Sequence, residues 1–122
     1  MKIYLAGPMR HIPNFNFPAF DFAAAKLRGE GHEIFSPAER DRQHHGTALE
    51  DNPTGDEIVA AEKVGFSLRR ALGDDTAWIC SDADAVALLP GWEKSKGAVA
   101  EAALAMALGL ETIVLGPDYV NG

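Results

Sequence analysis

Four short apolar runs, Lys2–Ala6, His32–Ser36, Ala85–Leu89 and Thr112–Leu115, alternate with stretches that carry helical signals. That alternation leaves few folds open. It is the pattern of parallel strands joined by crossover helices, with right-handed connections expected. Between the first two runs, Pro18 sits where a first helical turn tolerates proline, and Gly29 and Gly31 sit where a helix stops. From Gly97 to Leu110 a third helix leads from the third strand to the fourth, with Gly109 near its end.

The expected fold class is therefore α/β, a single-domain three-layer sandwich with a mainly parallel sheet of four to five strands, flavodoxin- or Rossmann-like. A length of 122 residues supports one domain with its own core, spanning 1–122. The stretch 37–64 departs from the pattern, since "ERDRQHHGTALEDNPTGDE" is rich in charge, Gly, Pro and Asn. It is expected to be a long loop with at most one helical turn, serving either as a lid or binding loop or as a surface excursion.

Composition narrows the function classes. With 47% hydrophobic and 24% charged residues the chain is an ordinary globular one. The lone Cys80 cannot form an internal disulfide and suits a reducing compartment. His44 and His45 are adjacent while His11 and His32 stand alone, so no metal-ligand spacing is present and neither metal nor cofactor is expected. The apolar stretch in "MKIYLAGPM" is too short for a signal peptide or a membrane span, which makes the expected location cytoplasmic. A formal charge of −7 argues against binding nucleic acid or anionic membrane and leaves room for a small anionic ligand where cations gather locally.

In an open parallel sheet, ligands bind beyond the carboxyl ends of the strands. That rule sorts the acidic residues. Asp82 and Asp84 precede the third strand and belong to the opposite edge, in capping or solvated roles. Asp74 and Asp75 follow Gly73 at the binding edge. Either could begin a helix, and Asp75 also continues the spacing of Leu68, Leu72 and Ile79, which turns it toward the sheet if the helix passes through Gly73. Asp75 is thus a helix cap, an active-site acid, or both.

Glu101 is the only charged side chain between Gly97 and Leu110. The helix dipole favours a carboxylate near a helix start by about 0.3–1 kcal/mol. Its neighbours Ala98, Leu104 and Ala105 are apolar, and burying an unpaired carboxylate costs several kcal/mol. The cost exceeds the dipole gain, so Glu101 needs partners or a function. Just before it, Lys94, Ser95, Lys96 and Gly97 form a helix mouth whose free N–H groups suit an anion, and Arg10 lies at the same edge. A phosphate is the natural guest.

The segments "IYLAGPM", "NFPAF", "DDTAWICSDADAVALLPGW" and "SKGAVAEAALA" resemble the nucleoside 2-deoxyribosyltransferase-like superfamily, and more particularly small members from bacteria and phages. The resemblance covers most of the chain outside the loop from Arg40 to Val64. It implies cleavage of the N-glycosidic bond of a deoxynucleoside or its 5′-monophosphate, with Glu101 as nucleophile, Tyr4 holding its carboxylate, and Asp75 as the acid that protonates or grips the departing base. Gly7, Pro8 and Met9 would shape the floor of the site, and Arg10 and Gly97 would join Ser95 around a phosphate.

Within that superfamily, transferases acting on free nucleosides tend to carry Asp six residues before the nucleophile, whereas 5′-monophosphate hydrolases carry Ser. Here the residue is Ser95. The resemblance therefore implies a nucleotide N-glycosidase, acting by hydrolysis or by base transfer. The alternatives are a transferase acting on free nucleosides and a non-catalytic nucleotide-binding protein. Trp92 or Phe17 could stack on the base or belong to the core. The resemblance also implies a homodimer or higher homo-oligomer, although the small residues of "AALAMALGL" suit internal packing equally well.

Overall fold

The structure, a computed structural model, describes residues 1–45, Gly55 and 68–120. In chain order the elements are β1 (Lys2–Ala6), α1 (Phe17–Gly29), β2 (Glu33–Phe35), α2 (Pro37–His45), α3 (Leu68–Ser81), β3 (Ala85–Leu88), α4 (Lys96–Ala107) and β4 (Glu111–Val114). The four strands form one sheet in the order β2-β1-β3-β4, with every pairing parallel. All four expected strands are present, with ends shifted by one residue at most.

Alternation along the central strands builds the two faces. Ile3 and Leu5 of β1 and Ala85 and Ala87 of β3 point to one side, where they pack with Phe17, Phe20, Ala23 and Leu27 of α1 and Ala38 of α2. Tyr4, Ala6, Val86 and Leu88 point to the other, against Ile79 of α3 and Ala98, Ala102 and Ala105 of α4. The result is a three-layer α/β sandwich. Full burial of each large side chain, such as Phe20 or Ile79, contributes roughly 1.5–3 kcal/mol. The outward side of α4 is apolar as well, with Val99 42% and Met106 65% exposed.

The stretch beginning at Pro37 departs from the expected loop, because Pro37–His45 is a nine-residue helix. The cause is tertiary. Arg28 of α1 grips Glu39 with two hydrogen bonds of 2.6 Å, and Arg42 grips Asp21 of α1 at 2.9 and 2.5 Å. The Arg42 guanidinium also lies 5.1 Å from the centre of the Phe17 ring. This helix adheres by paired forks rather than by an apolar stripe, so hydrophobic periodicity does not reveal it. The rest of the expected loop, 46–54 and 56–64, lies outside the described residues.

A second difference concerns α3. It runs unbroken through Gly73, so Asp74 and Asp75 sit in its interior and neither is a cap. At the opposite edge Asp84 accepts a 2.8 Å hydrogen bond from the Lys2 backbone N–H, and Ser81 donates to Asp82 at 2.7 Å, the structural roles expected of them.

Gly7 ends β1 at a tight crossing, where an added Cβ would stand 2.8 Å from Leu89 Cβ and 3.4 Å from the Phe20 ring. Gly73, by contrast, is exposed in mid-helix with nothing within 4 Å of an added Cβ. The two glycines should respond oppositely to alanine in urea unfolding. Gly7→Ala should lose about 1–3 kcal/mol through overpacking, and Gly73→Ala should gain about 0.5–1 kcal/mol through helix propensity.

Candidate active site

The strand order reverses direction between β1 and β3, and the chain leaves both of those strands at one edge, the place where open α/β sheets bind ligands. A cavity of about 200 Å³ opens there, where roughly 10–15 Å³ would hold one water. Its walls come from every layer. Gly7, Met9 and Arg10 follow β1; Ser95, Lys96, Gly97 and Glu101 belong to the start of α4; Ala71, Leu72 and Asp75 come from α3; Pro37 and Asp41 come from α2. Tyr4 closes the floor from β1.

Glu101 is 5% exposed. It stands in the second turn of α4, on the face that carries Ala98, Ala102 and Ala105 onto the sheet. Its carboxyl accepts a 2.5 Å hydrogen bond from the Tyr4 hydroxyl. Tyr4 is fully buried, and its ring stacks on Phe35 at 5.5 Å, which in turn stacks on Trp78 of α3 at 4.9 Å. This column of rings fixes where the hydroxyl points. Asp75, 7% exposed and one helical turn before Trp78, faces the same space. Among the described residues its Oδ1 has no hydrogen-bond partner. A phenol has one proton to give, and that of Tyr4 goes to Glu101.

Burial pushes the Glu101 carboxyl up to about 8; the Tyr4 hydrogen bond opposes the rise and the charge of Asp75 adds to it. Asp75 is raised to about 7, first by burial and then by Asp41, against the opposing effects of Tyr4 and Arg40. Tyr4 itself is held well above the ordinary phenol range by burial and by the two acids. Two carboxyls that share a poorly hydrated cavity titrate as a pair. Such a pair holds a proton near neutral pH, which suits chemistry needing one ionised and one protonated acid.

At the other end, Ser95 is the N-cap of α4 and its Oγ accepts a 3.2 Å hydrogen bond from the Ala98 N–H. That bond uses the oxygen and leaves the hydroxyl proton to be donated, beside the first amides of the helix. Lys96 and Arg10 line the same wall, so the mouth is positive by dipole and by charge. Anion binding here is within the reach of these groups.

Of the residues singled out in the sequence, Tyr4, Gly7, Met9, Arg10, Asp75, Ser95, Gly97 and Glu101 line one cavity. Pro8 and Lys94 line an adjoining depression instead. Trp92 packs beside the core on the α4 side and does not line the main cavity, and Phe17 is 1% exposed in the opposite core, so neither is placed to stack on a ligand there. Phe15 and Phe20 supply aromatic walls in their stead. Phe15 adopts a left-handed backbone conformation, φ 53°, between Asn14 and Asn16 at 57° and 61°. Asn tolerates that region and Phe does not, so the burial of its ring must hold the turn. No sequence signal marks this.

Asp41 and Arg40 are the larger omission. Both are buried, and Arg40 Nη1 donates to Asp41 at 3.1 Å while Nη2 pairs with Asp74 across to α3. Ser36-Pro37-Ala38-Glu39 has the Ser-x-x-Glu spacing of a helix start, the one signal that could have placed them on a helix. The capping bond itself is not made, since Ser36 Oγ has no partner among the described residues and Glu39 is taken by Arg28. Among the described residues no group of three or more His, Cys, Asp and Glu is arranged to hold a metal ion, and no helix is long and apolar enough to cross a membrane.

The raised Glu101 carboxyl has a measurable consequence. Its protonated form is the one the fold prefers, so its contribution to stability is complete below the ordinary value near 4.5 and is lost as pH rises toward about 8. Glu101→Gln removes that loss. The variant should melt above the parent protein at about pH 9, where the ionised carboxyl costs the parent fold on the order of 5 kcal/mol. The difference should shrink toward about pH 5 in a series of thermal melts.

No curated protein matches the chain, and no solved structure matches it. A family model described as Domain of unknown function (DUF4406) matches residues 1–114. With so nearly the whole chain covered, the protein belongs to the DUF4406 family.

Proposed function

We propose that the protein cleaves the N-glycosidic bond of a deoxynucleoside 5′-monophosphate. The observation that carries this reading is the buried Glu101 carboxyl, held by Tyr4 and sharing one cavity with Asp75 and with the Ser95–Gly97 helix mouth. The helix mouth, Arg10 and Lys96 take the phosphate, and that anchor brings the anomeric carbon to Glu101. The sequence resemblance to nucleoside 2-deoxyribosyltransferase-like proteins points the same way.

In the first step a Glu101 oxygen attacks C1′ and the C1′–N bond breaks, its electron pair leaving with the base. Asp75 gives its proton to the base. A glycosyl ester on Glu101 results. Water then attacks C1′ with Asp75, now ionised, as base, and the ester opens to return the Glu101 carboxylate. A second nucleobase in place of water gives transfer instead of hydrolysis. Tyr4 supports the ionised nucleophile by donating to it.

A nucleotide-binding protein without turnover is the second reading. It is favoured by the upward shift of Glu101, which leaves that group largely uncharged at neutral pH. Incubation with a panel of deoxynucleoside 5′-monophosphates separates the two. Release of free base supports the glycosidase, and binding without release supports the second reading. For the glycosidase, kcat/KM should be bell-shaped with its maximum between about pH 7 and about pH 8: turnover needs Glu101 ionised and Asp75 protonated, the minor arrangement of a pair in which Glu101 is raised to about 8 and Asp75 to about 7. Glu101→Gln should abolish turnover and retain nucleotide affinity.

The phosphate anchor has its own test. Ser95→Asp keeps a good helix cap but puts a carboxylate against the phosphate. Affinity for the 5′-monophosphate should fall at least about tenfold more than affinity for the matching nucleoside, roughly 1.4 kcal/mol of difference. Equal losses in calorimetric titrations of both ligands would remove the phosphate from this end of the cavity.

A further inference from the structure

Asp41 is a buried charged group that the mechanism above does not use. It lies on α2, 4% exposed, and it lines the cavity. Arg40 bridges it to Asp74, the neighbour of Asp75 on α3, whereas Glu101 lies on α4. α2 follows the edge strand β2, and the helix mouth of α4 follows β3 on the other side of β1. Asp41 therefore lies toward the end of the cavity away from the phosphate anchor.

Among the described residues, the polar side chains that α2 and α3 bring to the cavity are the carboxyls of Asp41 and Asp75, and Asp75 carries the proton that the mechanism gives to the base. The nearby side chains Pro37, Ala71 and Leu72 are apolar. Arg40, which does not line the cavity, spends both terminal nitrogens on Asp41 Oδ1 and on Asp74, while its buried Nε has no partner among the described residues. The proton of Tyr4 goes to Glu101. Asp75 is more than nine-tenths buried, and its Oδ1 has no partner among the described residues. Leaving a buried acceptor without a donor is costly, so a ligand that brings N–H groups gains what an otherwise equal ligand without them does not.

On the strength of the nucleotide reading above, we propose that Asp41 and Asp75 together form a specificity pocket for a nucleobase carrying an exocyclic amino group, with Asp41 accepting from that group. Replacing the amino group by a carbonyl sets an acceptor against the Asp41 carboxylate, an arrangement that polar sites reject strongly. Arg40 serves as the positioning residue. By bridging Asp41 and Asp74 it ties α2 to α3 and keeps Asp41 Oδ1 from turning into the cavity.

The test compares bases that differ by this one group, using calorimetric affinities on the Glu101→Gln variant so that turnover is not required. The 5′-monophosphates of deoxyadenosine and deoxycytidine should bind at least about tenfold more tightly than those of deoxyinosine and deoxyuridine. Asp41→Asn, which keeps the shape and the Arg40 contact, should shrink that ratio at least about fivefold and leave the affinity for 2-deoxyribose 5-phosphate unchanged. Equal affinity for amino and carbonyl bases overturns this inference and leaves the proposed function standing. Failure of every nucleotide to bind overturns both. The comparison of bases without the Asp41 substitution decides the question even if the Asp41 variant does not fold.

Discussion

The carboxyl edge of the sheet is organised around one buried acid, set where an apolar helix meets a strand. Glu101 sits on the face that α4 uses for packing, and the hydrogen bond from Tyr4 is what makes that position tolerable. Removing the hydroxyl would leave a buried acid without that donor, at a cost larger than most surface ion pairs contribute. The placement of Tyr4 is in turn a matter of strand alternation. Had β1 been displaced by one residue, Tyr4 would face α1 and Glu101 would face an aliphatic side chain.

The remaining geometry follows from parallel topology. Because β1 and β3 are neighbours and end at the same edge, the glycine-tightened exit of one lies beside the helix mouth that follows the other. Backbone dipoles, Ser95 and Lys96 gather where α4 starts beyond β3, while α2, which follows the edge strand β2, brings Asp41 to the same cavity from the other side of β1. The cavity is polarised along its length. Such a field orients any ligand that has a negative end and a donor-bearing end, and it does so before any side chain moves.

The second helix is the least legible part of the fold, and the reason is physical. Pro37–His45 has almost no apolar periodicity, since it adheres to α1 through the forks Arg28–Glu39 and Arg42–Asp21. Ion pairs between distant segments leave no local pattern. The same lack hides Asp41, which becomes a cavity residue only because α2 folds back over the carboxyl edge. The start of α3 misleads for a related reason. Gly73 followed by two aspartates looks like a helix start, yet packing of Ala71 and Ile79 carries the helix straight through it.

Short-range information is enough to specify the strands, the helices α1 and α4, the α/β class and the singular position of Glu101. Each of these rests on hydrophobic period, on where glycine and proline fall, or on a charge in an apolar setting. Which acids meet is a different matter and belongs to the folded molecule. Tyr4 and Glu101 are 97 residues apart, and Arg40 and Asp74 are 34 apart. Whether such groups touch depends on strand order and helix packing, and these are settled by the summed burial of many side chains and not by any local signal.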